Sequence, residues 1–309
     1  MKLRPLVGVL LLWALAACAA PQTVSLIKDP GGLPPRAEVA EVPFFPQEAY
    51  YCGPAALAMT LAWSGLPVTQ EDLVEQVYTP GREGSLRSDI LGGARRNGRL
   101  AVQVDSLHEL LAELAAGNPV LVFQNLALET IPQWHFAVAI GYDLEAREIA
   151  LHSGTTERRV TQLDTFEFTW KRGDYWALVV VPPERLPATA REPEVLSAAL
   201  ALERVGRTRE AAAAYESVAG RWPGSLGALM GLGNLRYAAE DLPAAERAFR
   251  RAIEANPEAP APWNNLAYVL AGQGRAQEAL AAAREAIRLA GDEAEPYRET
   301  LRELSAQAS

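Results

Sequence analysis

The sequence contains few residues that could carry thiol, imidazole or metal chemistry. Its 309 residues include two cysteines and three histidines, and these lack a spacing suited to the three or four ligands that zinc requires. We therefore expect no metal and no cofactor. The formal net charge of -9 argues against binding to phosphate backbones, so we expect no nucleic-acid partner. No internal stretch reaches the roughly 18 apolar residues of a membrane span, which excludes a polytopic membrane protein.

The N-terminus has the pattern of a secretory signal. Lys2 and Arg4 precede an apolar run that is too short to span a bilayer and that ends in Leu-Ala-Ala-Cys. This ending resembles the bacterial lipobox, which implies removal of residues 1–17 as a signal peptide and diacylation of Cys18. We therefore expect a lipid-anchored protein of the bacterial cell envelope, and Ala19 implies the periplasmic face of the outer membrane if the cell is Gram-negative. A plain signal peptide with an incidental cysteine is the alternative.

Composition divides the rest of the chain into segments. Residues 18–41 hold several prolines and glycines, which predicts a flexible tether. Residues 42–181 mix helix and strand signals, with helices first, which favours an α+β domain. Residues 182–193 have the composition of a proline-rich linker. Within 42–181 the pattern predicts a helix at Gly53–Trp63, helices that open at Thr69 and Ser106, and strands at Pro119–Gln124, Trp134–Tyr142, Glu148–Ser153 and Tyr175–Val181.

The segment 194–309 repeats with a period of 34 residues. Alanines and aromatic residues recur in step, at Ala211, Ala245 and Ala279 and at Tyr215 and Phe249. This pattern resembles the tetratricopeptide repeat, which implies an all-α solenoid of paired helices. Three repeats cover roughly 194–293 and a capping helix follows over 294–307, although Glu240 stands where the family has a turn glycine. An alanine-rich helical bundle is the alternative.

Cys52 is the candidate nucleophile. It lies where extended chain gives way to Gly53, Pro54 and an apolar helix. Free N–H groups and the helix dipole at a helix N-terminus favour a thiolate over a thiol. If Cys18 carries lipid, Cys52 has no intramolecular disulfide partner. The alternative is a small buried cysteine at a helix start.

His135 is the candidate base because it begins an apolar strand, which fixes an imidazole within reach of a thiol. The two motifs, Gln-x4-Cys-Gly-Pro-Ala and Trp-His-Phe-Ala-Val, together resemble the papain-like peptidases that trim bacteriocin leaders at double-glycine sites. The resemblance covers 42–181 and implies a papain-like fold. It also implies Cys52 as nucleophile, His135 as general base and acid, and Gln47 in the oxyanion hole.

The third residue of the family's site is usually an acid, and residues 150–154 contain no carboxylate. We predict that His152 or Ser153 takes its place and orients His135. Side chains alternate between the faces of a strand, so only one of the two can face His135. His152 is preferred because a ring nitrogen accepts a hydrogen bond more strongly. The family's transporter-linked members work on the cytoplasmic side, and this chain carries no transporter.

These observations support three functions. The first is a membrane-anchored cysteine peptidase that hydrolyses a peptide or protein substrate. The second is a peptidoglycan amidase or endopeptidase in which His152 completes a Cys-His-His set. The third is a non-catalytic envelope scaffold or adaptor lipoprotein with a degenerate peptidase domain. The repeats are predicted to bind a protein partner in a concave groove, through Asn234, Tyr237, Asn265 and Tyr268.

Overall fold

A computed structural model describes residues 20–47 and 50–307, which fall into two compact units. The first unit takes the described residues up to 97 with 101–181 and 187–189, and the second takes 98–100, 182–186 and the described residues from 190 onward. The predicted signal peptide and the predicted lipidation site, Cys18, lie outside the described residues. In the described part of the chain, no helix is both long enough and apolar enough to cross a membrane.

A sheet forms the middle of the first unit. Its strands are β1 (Arg36–Glu38), β2 (Leu100–Val104), β3 (Val120–Asn125), β4 (Trp134–Asp143), β5 (Glu148–Ser153), β6 (Thr156–Gln162) and β7 (Ala177–Val181). The order is β2-β7-β3-β4-β5-β6, and β1 pairs with the end of β4. The helices of this unit are α1 (Pro21–Lys28), α2 (Cys52–Trp63), α3 (Glu71–Val77), α4 (Arg87–Arg96), α5 (Leu107–Ala115) and α6 (Leu163–Lys171).

The helix α2 is the core helix of the first unit because it is apolar on every side. Each of its residues from Gly53 to Leu61 is buried, as expected for a helix without a polar stripe. It shares a core with one face of the sheet, where Leu121, Val138 and Leu178 are buried. This packing fixes the start of α2, and therefore the position of the thiol at its first residue.

The flexible tether predicted over 18–41 differs from the structure. The carboxylate of Glu167 accepts hydrogen bonds from the backbone N–H of Gln22 (3.0 Å) and Thr23 (2.6 Å), which caps the first turn of α1. Proline is favoured in the first turn of a helix, so Pro21, one of the prolines that suggested a tether, is compatible with this start. Because Thr23 and Leu26 are buried as well, α1 is part of the domain, and the prediction is wrong for this helix and for β1.

The predicted linker 182–193 is also attached to the first unit at one point. The side chain of Glu113 is fully buried and accepts hydrogen bonds from the backbone N–H (2.6 Å) and the hydroxyl (2.7 Å) of Thr189. It accepts a third from Asn118 Nδ2 at 2.6 Å. Three donors satisfy the carboxylate, and they hold residues 187–189 against the domain.

The second unit contains paired helices. They are α7 (Glu192–Arg204), α8 (Thr208–Arg221), α9 (Leu226–Ala238), α10 (Leu242–Ala255), α11 (Pro260–Gly272), α12 (Ala276–Ala290) and α13 (Glu295–Gln307). Glycines allow α9 to approach the aromatic rings of its two neighbours. A Cβ atom at Gly231 would lie 2.6 Å from the ring of Tyr215, and one at Gly233 would lie 2.4 Å from the ring of Phe249. A larger residue at either position would therefore require the neighbouring ring to move.

The turn inside each helix pair uses the left-handed backbone region. Gly206 and Gly274 both have φ of 77°, and Glu240, which occupies the matching position of the middle repeat, has φ of 59°. Glycine adopts this region without steric penalty, whereas a residue with a Cβ atom is strained there. The middle repeat therefore has the same turn geometry as its neighbours, but backbone strain at Glu240 lowers its stability.

Candidate active site

The thiol of Cys52 lies at the first residue of α2 and is partly exposed. Backbone N–H groups of Phe136, Gly53 and Cys52 itself interact with the sulfur and lower the pKa of the thiol. Burial acts in the opposite direction and is the larger effect, so the pKa of Cys52 is raised above its ordinary value. The helix N-terminus therefore supplies partners for a thiolate, yet the thiol is the form at rest.

His135 is the second residue of β4, and its Nε2 lies 2.9 Å from Ser153 Oγ at the end of β5. Burial lowers the pKa of His135 to about 4, and the positive charge of Arg159 acts in the same direction. The imidazole is therefore neutral at pH 7. Because Nε2 is engaged by Ser153, Nδ1 is the nitrogen that remains for a proton exchange with a thiol.

The register of β4 with β5 explains why Ser153 and not His152 faces His135. Val138 pairs with His152, so Ser153 lies opposite Ala137, on the same face as His135. His152 points to the other face, where its Nε2 bonds to the carbonyl oxygen of Val42 at 3.1 Å. The prediction of His152 as the orienting residue is wrong, and its alternative, Ser153, occupies that place.

Carboxylates do not replace the missing acid in the described part of the chain. Asp143 accepts a hydrogen bond from the backbone N–H of Ala146, and Asp164 forms an ion pair with Arg147. No described carboxylate oxygen forms a hydrogen bond with His135, whose recorded side-chain partner is the Ser153 hydroxyl. The imidazole therefore has a neutral partner instead of a charged one.

Gln47 is buried beside the same residues. Its Nε2 donates to the carbonyl oxygen of Phe136 at 3.4 Å, and its Oε1 accepts from the backbone N–H of Gly154 at 3.2 Å. Its own backbone N–H donates to the carbonyl oxygen of Gly154 at 3.0 Å. These bonds fix the amide group between the start of β4 and the end of β5, and the second Nε2 proton stays available for a ligand oxygen.

A cleft of about 1010 Å³ opens over Cys52, Gln47 and His135. Charged and aromatic side chains that sequence reasoning did not single out also line it, namely Tyr50, Arg82, Glu83, Arg87, Phe123, Trp134 and Asp174. Most of them lie in turns or at strand ends, where no periodic pattern identifies a side chain that faces a cleft. A cleft of this size accommodates several residues of an extended peptide.

The four residues predicted to bind a partner in the repeats take different positions. Asn265 Nδ2 donates to Asn234 Oδ1 at 2.8 Å, which joins the first helices of two successive repeats. Tyr237 is exposed. The hydroxyl of Tyr268 donates to Glu303 at 2.9 Å, so α13 already occupies this side chain. Tyr237 and the asparagine pair remain candidates for contact with a partner.

Two family models match the chain, one in each unit. The Peptidase_C39 like family matches residues 39–177, and the tetratricopeptide repeat matches residues 196–260 and 231–294. The first unit is therefore a C39-like domain and the second contains tetratricopeptide repeats, and the predicted α+β domain followed by an all-α repeat region is confirmed. No curated protein matches the chain.

Solved structures resemble each unit separately. A Bacillus anthracis protein described as a C39-like peptidase is 19% identical, with a TM-score of 0.41, over 47% of this chain and 97% of its own. The Yersinia enterocolitica type III secretion translocator chaperone SycD is 16% identical, with a TM-score of 0.36, over 38% of this chain and 84% of its own. YrrB, described as a tetratricopeptide-repeat protein with an unusual peptide-binding site, is 21% identical, with a TM-score of 0.34, over 38% of this chain and 61% of its own.

Proposed function

We propose that this protein is a lipid-anchored cysteine peptidase whose repeat region binds a protein. The observation that carries the proposal is the common cleft of Cys52, His135 and Gln47, in which the sulfur faces the N–H of Phe136 and the imidazole is oriented by Ser153. A nucleophile, an oriented base and an amide donor are the groups that thiol-mediated acyl transfer requires.

The reaction begins from a neutral pair. His135 Nδ1 takes the proton of the Cys52 thiol as the sulfur attacks the peptide carbonyl carbon. The resulting oxyanion accepts hydrogen bonds from Gln47 Nε2 and the Cys52 N–H. His135 returns the proton to the leaving amine, which departs and leaves a thioester on Cys52. Water, deprotonated by His135, then attacks the thioester and releases the carboxylic acid product and the free thiol.

The hydroxyl of Ser153, which is the hydrogen-bond partner of His135, determines how fast we expect peptide hydrolysis to be. A serine hydroxyl orients the imidazole but carries no negative charge, so the imidazolium that forms in each step is weakly stabilised. Burial, together with the positive charge of Arg159, lowers the pKa of His135 to about 4, which also makes it a weak base. We therefore expect slow turnover compared with an enzyme that has a carboxylate at this position.

The test is digestion of a diverse peptide library by the mature protein, followed by mass spectrometry of the products. Cys52→Ala removes only a thiol and serves as the matched control, and His135→Ala should abolish cleavage to a similar extent, since paired catalytic groups are not additive. Cleavage by the wild type that disappears in both variants supports the proposal. Cleavage that persists in Cys52→Ala contradicts it.

A non-catalytic adaptor is the second candidate function. The observation that favours it is the uncharged state of both Cys52 and His135, because an active thiol normally rests with a lowered pKa. The amidase alternative loses support, because His152 bonds to Val42 on the other face of the sheet. A wild-type protein that cleaves no peptide but still retains an envelope partner would favour the adaptor.

The anchor and the repeats complete the proposal. Diacylation of Cys18 follows from the lipobox, and replacement of Cys18 with serine should leave an unprocessed precursor. The repeat region is proposed to bind a protein segment, because tetratricopeptide repeats match residues 196–260 and 231–294 and stacked repeats form an extended concave surface. Enrichment of an envelope protein by the full chain, and its loss in an Asn234→Ala/Asn265→Ala variant, is the expected result. Equal enrichment by both would exclude this pair as the contact.

A further inference from the structure

The turn that joins β3 to β4, residues 126–133, exposes large apolar side chains. Leu128 is 65% exposed and Ile131 is 73% exposed, and Trp134, the first residue of β4, is 51% exposed. A single exposed apolar residue is common on a protein surface, whereas a group of them on one projecting turn marks a contact with an apolar partner.

Hydrogen bonds within the β3–β4 turn hold these apolar side chains in solvent. Asn125 Oδ1 accepts hydrogen bonds from the backbone N–H of Ala127 (3.1 Å) and Gln133 (2.9 Å), and its Nδ2 donates to the carbonyl oxygen of Leu128 (3.3 Å). The backbone N–H of Leu126 also donates to the carbonyl oxygen of Gln133 at 2.9 Å. Because both arms of the turn are tied together, Leu128 and Ile131 do not reach the domain core.

The start of α1 lies in the same part of the first unit as this turn. Glu167, which caps α1, also accepts a hydrogen bond from Tyr175 at 3.4 Å. Five residues further along the chain, the guanidinium of Arg172 donates twice to the carbonyl oxygen of Asn125, at 3.2 and 3.0 Å. The residue after Tyr175, Trp176, accepts a hydrogen bond from the backbone N–H of Phe123 at 3.1 Å. The cap of α1 is therefore linked through Tyr175 to the end of β3, two residues before Asn125 at the base of the β3–β4 turn.

The distance from this cap to the lipid is short. Ala20 is buried, and two peptide units separate it from Cys18, which limits the connection to about 7 Å. A diacyl chain at Cys18 therefore holds the cap of α1 close to the bilayer surface. This short reach limits how far the β3–β4 side of the domain can turn away from the bilayer.

We infer that the β3–β4 turn rests on the bilayer to which Cys18 is attached, with Leu128 and Ile131 at the level of the lipid headgroups. The inference rests on the proposed lipid anchor. Trp134 suits this level, since tryptophan is enriched at membrane interfaces, and Glu129 at the tip keeps the turn from deeper insertion. Since Trp134 also lines the cleft, the active site opens at the membrane surface, and its substrate is a polypeptide presented there.

The test places an environment-sensitive fluorophore on the turn of the lipidated full chain. Ile131→Cys in a Cys52→Ala background takes the label, because acylated Cys18 is unreactive. Val160→Cys, on the exposed strand β6 and 45% exposed, is the matched control. The protein is reconstituted in vesicles of phosphatidylethanolamine and phosphatidylglycerol that carry a spin-labelled quencher lipid. We expect about twofold quenching at position 131, as for a side chain in the interfacial region, and almost none at position 160.

The experiment distinguishes failure of the membrane contact at the β3–β4 turn from failure of the proposed lipid anchor at Cys18. Mass spectrometry of the same samples reports the acyl chains on Cys18. Equal, weak quenching at both positions in acylated protein overturns the inference and leaves the anchor intact. A label at 131 that responds to apolar peptides but not to vesicles overturns it in favour of a substrate surface. Protein without acyl chains removes the anchor and the inference with it.

Discussion

Replacement of Ser153 with aspartate tests whether a charged partner for His135 would favour the ionised form of the proposed Cys52–His135 pair. Ser153 Oγ lies 2.9 Å from His135 Nε2, so an aspartate there would bring a carboxylate against the imidazole. A carboxylate at such a distance raises the pKa of a histidine by about 1–3. From the present value of about 4, the pKa of His135 should rise toward roughly 5–7.

The expected change in the pKa of His135 gives the expected change in the reaction rate of the thiol. Each pKa unit corresponds to about 1.4 kcal/mol, so the imidazolium gains about 1.4–4 kcal/mol of stabilisation. If all of this appears in the transition state, deprotonation of the Cys52 thiol accelerates by about 10- to 1000-fold. Ser153 is buried, and the larger side chain must find space, so the lower part of the range is the expectation.

The assay is the rate of alkylation of Cys52 by iodoacetamide as a function of pH. Ser153→Asn is the matched control, because asparagine has nearly the same shape as aspartate and no charge. We expect the aspartate variant alone to react faster at pH 7 and to reach half of its maximal rate at a lower pH. Identical profiles for the two variants, both folded by near-ultraviolet circular dichroism, would refute the electrostatic explanation.

The remaining predictions concern the thiol, the amide and a repeat turn. In the wild type burial raises the pKa of Cys52 and lowers that of His135, so the alkylation rate should still increase with pH above the range in which an ordinary thiol ionises; a plateau below pH 7 would contradict this. Gln47→Ala should lower kcat by about 100- to 1000-fold, and Gln47→Glu, which keeps the acceptor for Gly154 but removes the donor, should lower it as much. Glu240→Gly should stabilise the repeat unit by about 0.5–1 kcal/mol in urea unfolding, and Gly206→Glu should destabilise it by a similar amount; opposite signs would show that backbone strain is not the cause.

The sequence predicted the parts of the fold that rest on long patterns. The apolar helix after Cys52 and the strand Glu148–Ser153 were correctly placed, because a continuous run of buried residues leaves a clear apolar signal in the sequence. The edge strand β6 was missed, since it is exposed along most of its length and has no apolar face. The helix α1 was missed because its stability depends on a carboxylate far away in the chain, at Glu167.

The sequence predicted the three site residues that lie in motifs, but it did not predict which residue orients His135. Cys52, His135 and Gln47 carry recognisable neighbours in the sequence, and the structure brings all three to one cleft. The choice between His152 and Ser153 depended on the register of β4 with β5, which a single sequence does not contain. A shift of one residue in that pairing would have exchanged the two side chains.

The two buried glutamates determine where the peptidase domain can be cut from the chain. Glu167 takes its donors from the backbone of Gln22 and Thr23, and Glu113 takes two of its donors from Thr189. A fragment that begins after Thr23 leaves Glu167 with Tyr175 as its remaining donor, and one that ends before Thr189 leaves Glu113 with Asn118, at a cost of about 1–3 kcal/mol for each buried carboxylate. An autonomous domain therefore extends beyond the family match at both ends, and shorter fragments trimmed to that match should be aggregation-prone.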